Sequence, residues 1–104
     1  MVVGHSFGGL ILTLFSESWE SPFPIDAHVI ASGLAKSKFD KKYLNCENPK
    51  KSNYYISKNV EYKQWRTIKN QDGIFKRLKN DPQVVTFING KTTAQNIWTG
   101  LTDN

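Results

Sequence analysis

The N-terminal segment Met1–Leu14 reads MVVGHSFGGLILTL. Two valines run into Gly4, and a pair of β-branched residues before a glycine is typical of the end of a buried strand. From Phe7 to Trp19 the apolar residues recur at helical spacing, and they predict a helix of about three turns. The helix is expected to end before Pro22, because proline cannot continue the hydrogen-bond ladder.

A second apolar run, Ala27–Ala31, follows between Pro24 and Gly33. A short apolar run with such boundaries predicts a buried strand. Strand, tight turn, helix and strand in this order form one βαβ unit, which implies a parallel sheet with a right-handed crossover. Val2-Val3 and Ala27–Ala31 are therefore predicted to be neighbouring parallel strands.

The turn between the first strand and the helix carries a chemical motif. Residues 4–8, GHSFG, fit the pattern G-x-S-x-G, and Gly9 follows. In this pattern a nucleophilic serine stands at the tip of a strained strand-to-helix turn, with its Oγ exposed above the sheet. Ser6 is the predicted nucleophile, and the backbone N–H of Phe7 is a predicted oxyanion-hole donor.

The glycines have a predicted structural purpose in this motif. The turn brings backbone segments close together, so side chains at Gly4 and Gly8 are expected to clash. Two simpler interpretations are an ordinary glycine-rich turn and a phosphate-binding turn. The context of strand, helix and further strand favours the nucleophile motif over the first. The second is disfavoured because the sequence fits neither G-x-G-x-x-G nor the P-loop.

Met1–Leu14 resembles the nucleophile elbow of the α/β-hydrolase superfamily, which includes esterases, lipases and epoxide hydrolases. Residues 27–34, AHVIASGL, are similar to the next strand of that family. The resemblance implies an α/β fold, here a partial α/β-hydrolase fold with the elbow βαβ unit in residues 1–35. It also implies that Ser6 is the nucleophile and that Phe7 supplies an oxyanion N–H. The remaining elbow residues would shape the turn, namely Gly4, His5, Gly8 and Gly9.

Residues 36–81 are basic and lie where many family members insert a mostly helical cap. Three helical stretches are expected here: a short one near Phe39–Leu44, one over Lys58–Lys69, and one over Ile74–Leu78. The segment would then follow the parallel βαβ unit as a cap-like helical region.

Residues 82–104 are expected to form a strand and a tail. Val84–Ile88 is rich in β-branched residues and predicts a strand, and Asn89-Gly90 predicts a turn that ends it. The sequence from Thr92 to Asn104 is weakly patterned.

The other two members of a catalytic triad are difficult to find. The superfamily order is Ser, then Asp or Glu, then His. His5 lies inside the elbow, and its side chain is expected to point away from Ser6. His28 lies in a predicted buried strand, where a hydrogen-bonded core histidine is favoured over a general base.

The acid is also unassigned by the sequence. In the family an Asp commonly follows the penultimate core strand. Val84–Gly90 could imitate that strand, but Lys91 and two threonines follow it, and Asp103 is a remote candidate. The expectation is a serine hydrolase of esterase or lipase type that is incomplete as given, whether an internal fragment, a mispredicted product or a truncated remnant. The alternative is a catalytically inactive fragment or pseudoenzyme.

The positive charge of residues 36–81 allows a different interpretation of the function. Between Lys36 and Asp81 there are 13 Lys or Arg against 5 Asp or Glu, and the remaining residues have 1 basic against 4 acidic. Basic residues with interleaved aromatic rings could bind single-stranded nucleic acid. A solvated cap surface is the favoured explanation, because charge runs usually face water. A lipid-surface role is disfavoured because the predicted helices are short and broken. The rings in question are Tyr43, Tyr54, Tyr55, Tyr62 and Trp65.

Composition limits the remaining possibilities. Cys46 is the single cysteine, which excludes an intramolecular disulfide and fits a cytoplasmic protein. No signal peptide or transmembrane segment is predicted. No His, Cys, Asp or Glu cluster has metal-ligand spacing, so neither a metal nor a cofactor is expected. The expected partner is a small ester-like substrate rather than a nucleic acid, and the sequence sets no oligomeric state.

Overall fold

The computed structural model describes residues 1–37, 49–88 and 91–97. In these residues the elements are β1 (Val2–His5), α1 (Phe7–Ser18), β2 (Ile25–Ile30), β3 (Asn53–Tyr55), β4 (Val60–Thr67), a 3₁₀ turn (Lys69–Gln71), β5 (Thr86–Ile88) and β6 (Lys91–Ile97). The architecture is of α/β type, with a parallel sheet and a helix between its first two strands.

The main sheet has four parallel strands in the order β1-β2-β4-β6. The predicted order of strand, helix and parallel strand in the first 30 residues is confirmed: α1 joins β1 to β2, and these strands pair in parallel with Val3 opposite His28. The expectation that Val2 and Val3 end a buried strand is wrong, because β1 lies at the edge of the described sheet and both valines are exposed. Parallel pairing requires a crossover connection, which α1 supplies. Strands β3 and β5 form a separate parallel pair.

The prediction of a helix over Lys58–Lys69 is wrong, because this segment contains the long strand β4. Val60, Tyr62 and Gln64 alternate with more exposed neighbours and are all buried. This period of two is the strand period. The buried residue Gln64 is polar, which conceals the alternation in the sequence. The segment pairs with β2 on one side and β6 on the other, so tertiary pairing determines its structure.

The structure also differs from three further expectations, and other predicted features lie outside the described residues. No helix forms over Ile74–Leu78, which is a series of turns. The strand expected over Val84–Ile88 is shorter and lies in the two-stranded sheet, not the main one. The weakly patterned tail begins with a seven-residue strand, β6. Within the described part, residues 36–81 are therefore mainly strands and turns rather than a helical cap. Phe39–Leu44, Asn89-Gly90 and Cys46 lie outside the described residues.

The hydrophobic core lies between one face of the main sheet, helix α1 and the short pair β3-β5. Side chains that alternate on β2 and β4 point into this core, and α1 covers them. Within the described residues no helix reaches the length and apolarity needed to cross a membrane. The buried apolar residues are Leu10, Leu12, Ala27, Val29, Leu34, Tyr54, Ile56, Val60 and Tyr62.

Candidate active site at the strand-to-helix turn

Ser6 occupies the single residue between β1 and α1, and its backbone is strained. Its φ is 57° and its ψ is −123°. A side chain at positive φ costs on the order of 1–3 kcal/mol and persists only where the surroundings fix it. Here the Ser6 N–H donates to the Ile30 carbonyl at 3.0 Å, and the Gly9 N–H donates to the Ser6 carbonyl at 3.0 Å. The result is an exposed serine held at a sharp turn.

Ser6 also stands at the N-cap position of α1 without acting as a cap. A serine at this position ordinarily accepts a hydrogen bond from the first turn of the helix, but Ser6 makes no side-chain capping bond. The hydroxyl is therefore not committed to the helix. Phe7 is the first helical residue, where N–H groups lack helical partners and the positive end of the helix dipole lies. This arrangement is compatible with an oxyanion site beside Ser6.

The glycines of the motif contribute differently from the sequence prediction. A Cβ on Gly4 would lie 2.5 Å from the Gly8 carbonyl oxygen and 2.9 Å from the Gly9 Cα. Such contacts involve backbone that cannot yield, so the prediction for Gly4 is confirmed. The expected clash at Gly8 is wrong, since an added Cβ there would meet no atom within 4 Å. The second constrained glycine is Gly9, whose Cβ would lie 1.7 Å from Ser32 Oγ.

Ser32 is a buried polar residue beneath the elbow that the sequence analysis did not identify. Its Oγ donates to the Ser6 carbonyl at 2.7 Å and lies 3.2 Å from the Ile30 carbonyl. Ala31, just before it, has a φ of 51° and donates its N–H to the Trp65 carbonyl. In the sequence, this contact between Ser32 and the Ser6 turn is indicated only by the run of small residues that follows β2.

The elbow is also connected to β4 by buried hydroxyl groups. Thr13 Oγ1 donates to the Gly9 carbonyl at 2.7 Å and lies 2.6 Å from the Tyr62 hydroxyl. Because the Thr13 proton is used on Gly9, the Tyr62 O–H donates to Thr13. Burial raises the pKa of the Tyr62 hydroxyl well above its ordinary value, and the Thr13 contact opposes that effect.

His28 has neighbours at both ring nitrogens. Its Nδ1 accepts from Trp65 Nε1 at 3.0 Å, and the planes of the two rings are nearly parallel, at 9°, with their centroids 6.3 Å apart. The indole N–H can only donate, so the proton of a neutral imidazole lies on Nε2. That atom is 3.1 Å from Asp26 Oδ1, an approach without hydrogen-bond geometry. The His28 side chain holds the pKa of the Asp26 carboxyl below its ordinary value, against an opposing effect of desolvation, and Lys63 assists it.

His28 is hydrogen-bonded, as the sequence predicts, but it is half-buried on the face of the sheet opposite the core residues Ala27 and Val29 rather than in the core. Its contacts with Trp65 and Asp26 do not suit a base for Ser6. His28 lies inside β2, two residues before the strand ends, whereas Ser6 follows the end of β1. His5 is the exposed last residue of β1 and pairs with Ile30. The structure therefore supports neither histidine as the general base for Ser6.

The strand order brings a different carboxylate into consideration. Since β5 is outside the main sheet, β4 is the last but one of the described strands in that sheet, and Asp72 follows it. Asp72 Oδ1 accepts from the N–H groups of Ile74 and Phe75 at 2.8 and 3.1 Å, and Oδ2 accepts from the Thr67 hydroxyl. These bonds fix the carboxylate beyond the carboxyl end of β4. The other candidate, Asp103, lies outside the described residues.

The described aromatic residues of the basic segment offer little exposed surface for stacking. Tyr54 and Tyr62 are fully buried in the core, Trp65 is partly buried and donates its indole N–H to His28, and only Tyr55 is largely exposed among the described tyrosines of the segment. Bases cannot stack on buried rings, so the geometry counts against the nucleic-acid alternative. Tyr43 lies outside the described residues.

Comparison with protein-family models, with curated proteins and with solved structures found no match to this chain. Any functional interpretation therefore depends on the local geometry of the elbow and on its chemistry.

Proposed function

We propose that Ser6 is the nucleophile of a serine hydrolase of the α/β-hydrolase type that acts on an ester or a related bond. The observation that carries the proposal is the backbone of Ser6, strained at a φ of 57° between a parallel strand and a helix. Strain of this kind at a non-glycine residue concentrates at functional sites. A merely structural turn would more readily place glycine at that position.

The chemistry follows from the position of the residue. The Ser6 hydroxyl would attack the acyl carbon, and the developing oxyanion would lie near the start of α1. The Phe7 N–H and the positive helix end are suited to stabilise that charge. Losing one such donor costs about 10²–10³ in rate in other hydrolases. Since Phe7 would act through its backbone, Phe7→Ala should be milder.

Asp72 is the best candidate for the acid of this site. In parallel sheets ligands bind beyond the carboxyl ends of the strands, and both Ser6 and Asp72 follow such ends. The family resemblance places the acid after the penultimate strand, which is β4 among the described strands of this sheet. Its role would be to orient a base, and Asp72→Asn should then lower kcat by about 10⁴-fold. Asp26→Asn is the matched control and should retain kcat, because Asp26 contacts His28 instead.

A second candidate is that the 104-residue chain alone is inactive, as a fragment or pseudoenzyme. The observation that favours it is the engagement of His28 by Trp65 and Asp26. A serine without a base is a weak nucleophile. We therefore expect little or no hydrolysis of an activated ester by the isolated chain, and the base to come from a residue other than His5 and His28.

The test compares hydrolysis of p-nitrophenyl acetate by the 104-residue chain and by the full-length gene product, where that product is longer. Ser6→Ala should abolish turnover by the full-length protein, a loss on the order of 10⁶-fold in a comparable hydrolase. Ser18→Ala, at the other end of α1, is the control and should leave turnover unchanged. Turnover that survives Ser6→Ala would overturn the proposal. Turnover by the isolated chain that Ser6→Ala abolishes would instead overturn the inactive-fragment candidate.

A further inference from the structure

We propose that Ser32 is a positioning residue that aims the oxyanion-hole N–H of Phe7 by holding the carbonyl of Ser6. The inference rests on the proposed function of Ser6. It assigns a role to a buried hydroxyl that no triad or oxyanion motif includes.

The planarity of the peptide bond carries the argument. The carbonyl of Ser6 and the N–H of Phe7 belong to one peptide unit, which is planar and trans, so they point in opposite directions. A group that fixes the carbonyl therefore fixes the N–H as well. Ser32 Oγ lies 2.7 Å from that carbonyl oxygen, on the buried side of the turn. The Phe7 N–H is consequently directed away from Ser32 and out of the buried side of the turn.

The hydroxyl of Ser32 has one proton to donate. Its oxygen lies closer to the Ser6 carbonyl than to the Ile30 carbonyl, at 2.7 against 3.2 Å. The Gly9 N–H donates to the same Ser6 oxygen at 3.0 Å, so both lone pairs of that oxygen are used. Hydrogen bonds to a carbonyl also polarise its amide, which makes the Phe7 N–H a stronger donor.

The surrounding residues are arranged to admit this hydroxyl. Ser32 is 2% exposed, and a Cβ on Gly9 would lie 1.7 Å from its oxygen. Ala31 takes up a positive φ of 51°, which turns the chain at the end of β2 toward the elbow. Since His5 pairs with Ile30, the strained residues Ser6 and Ala31 follow adjacent strand ends. The strained residues Ser6 and Ala31 and the glycine at position 9 therefore all lie next to the hydrogen bond from Ser32 to the Ser6 carbonyl.

The variant Ser32→Ala removes the bond and leaves Gly9 as the remaining donor to the Ser6 carbonyl. We expect kcat of the full-length protein to fall about 10-fold, a part of the effect of losing an oxyanion donor. The rate of fluorophosphonate labelling at Ser6 should fall by the same factor, and KM should stay within about twofold, because only the transition state uses the oxyanion donor.

Ser16→Ala is the matched control. Ser16 is also a fully buried serine, and its Oγ donates to the Leu12 carbonyl at 2.8 Å within α1, away from the elbow. It should lose comparable stability in thermal unfolding and keep kcat. If Ser32→Ala does not fold, Ser32→Cys replaces it, because a thiol has similar size and donates weakly, and an intermediate kcat is expected.

The outcomes separate the two proposals. A lower kcat and slower labelling in the Ser32 variant at unchanged KM, with normal kinetics in Ser16→Ala, support the positioning role. A folded Ser32 variant with wild-type kcat and labelling, or one altered in KM alone, overturns this inference and leaves Ser6 as nucleophile. Failure to label Ser6 in the wild-type protein overturns the proposed function and this inference together.

Discussion

At the scale of single residues, the elbow depends on glycines that serve different purposes. Gly4 leaves room for the backbone of Gly8 and Gly9, and Gly9 leaves room for the hydroxyl of Ser32. Gly8 faces open space at the start of α1. The motif G-x-S-x-G includes Gly8 and omits Gly9, because a motif records residue types at fixed spacing and not the atoms that oppose each position.

The first prediction contrasts two of these glycines. Gly8→Ala should stabilise the protein by about 0.5–1 kcal/mol, because alanine favours the helix and restricts the unfolded chain. Gly9→Ala should destabilise it by several times that amount, since the new methyl group displaces Ser32. Urea unfolding of both variants measures the difference. Equal effects of the two substitutions would contradict the described packing.

The second prediction concerns Tyr62 and alkaline pH. The folded state raises the pKa of this hydroxyl above its ordinary value of 10.0, so the folded protein keeps the proton longer than the unfolded chain. The stabilisation is fully present below about pH 10 and is lost as the pH rises further, at up to about 1.4 kcal/mol per pH unit. Tyr62→Phe removes this dependence.

The measurement is the free energy of unfolding between pH 8 and 11 for wild type and Tyr62→Phe. Below pH 10 the variant should be less stable by about 1 kcal/mol, because the bond to Thr13 is lost. Above pH 10 the difference should shrink. Tyr55→Phe, at an exposed tyrosine, is the control and should follow the wild-type curve. A difference that stays constant over the whole range would be inconsistent with a buried Tyr62 hydroxyl.

At the scale of elements, the first 30 residues could be predicted and the later strands could not. Short-range apolar spacing and the glycine turn predict strands β1 and β2 and helix α1. Strand β4 also alternates, but with Gln64 among its buried residues, and Gln83 supplies the partner from a distant loop. A polar residue that is buried through a long-range bond cannot be distinguished from a surface residue by periodicity alone.

The third prediction tests how the end of β4 is held. The buried Gln83 side chain accepts from the Thr67 N–H at 3.0 Å and donates to the Thr67 carbonyl at 3.1 Å. Gln83→Ala would leave both backbone groups without this partner, which should cost about 2 kcal/mol or more. The amide of Thr67 should also exchange faster with deuterium. Gln71→Ala, at an exposed glutamine, is the control, and equal stability losses in the two variants would refute the assignment.

At the scale of the whole molecule, the sheet order determines which residues share an edge. The order β1-β2-β4-β6 puts the ends of β1 and β4 on the same side of one sheet, separated only by β2. Ser6 and Asp72 are 66 positions apart in the chain, and no local pattern relates them. The sequence therefore points to Ser6, whose motif is local, whereas Asp72 becomes a candidate for the acid only when β4 is recognised as a strand.

Covalent labelling distinguishes a reactive Ser6 nucleophile from a serine that only shapes the turn. The full-length protein is treated with a fluorophosphonate, and the modified residue is mapped by peptide mass spectrometry. We predict a single adduct on Ser6 that is retained in Ser18→Ala and lost in Ser6→Ala, because the strained turn exposes that one hydroxyl beside the N-terminus of α1. An adduct on a different serine, or undiminished labelling of Ser6→Ala, would show that Ser6 is not the nucleophile.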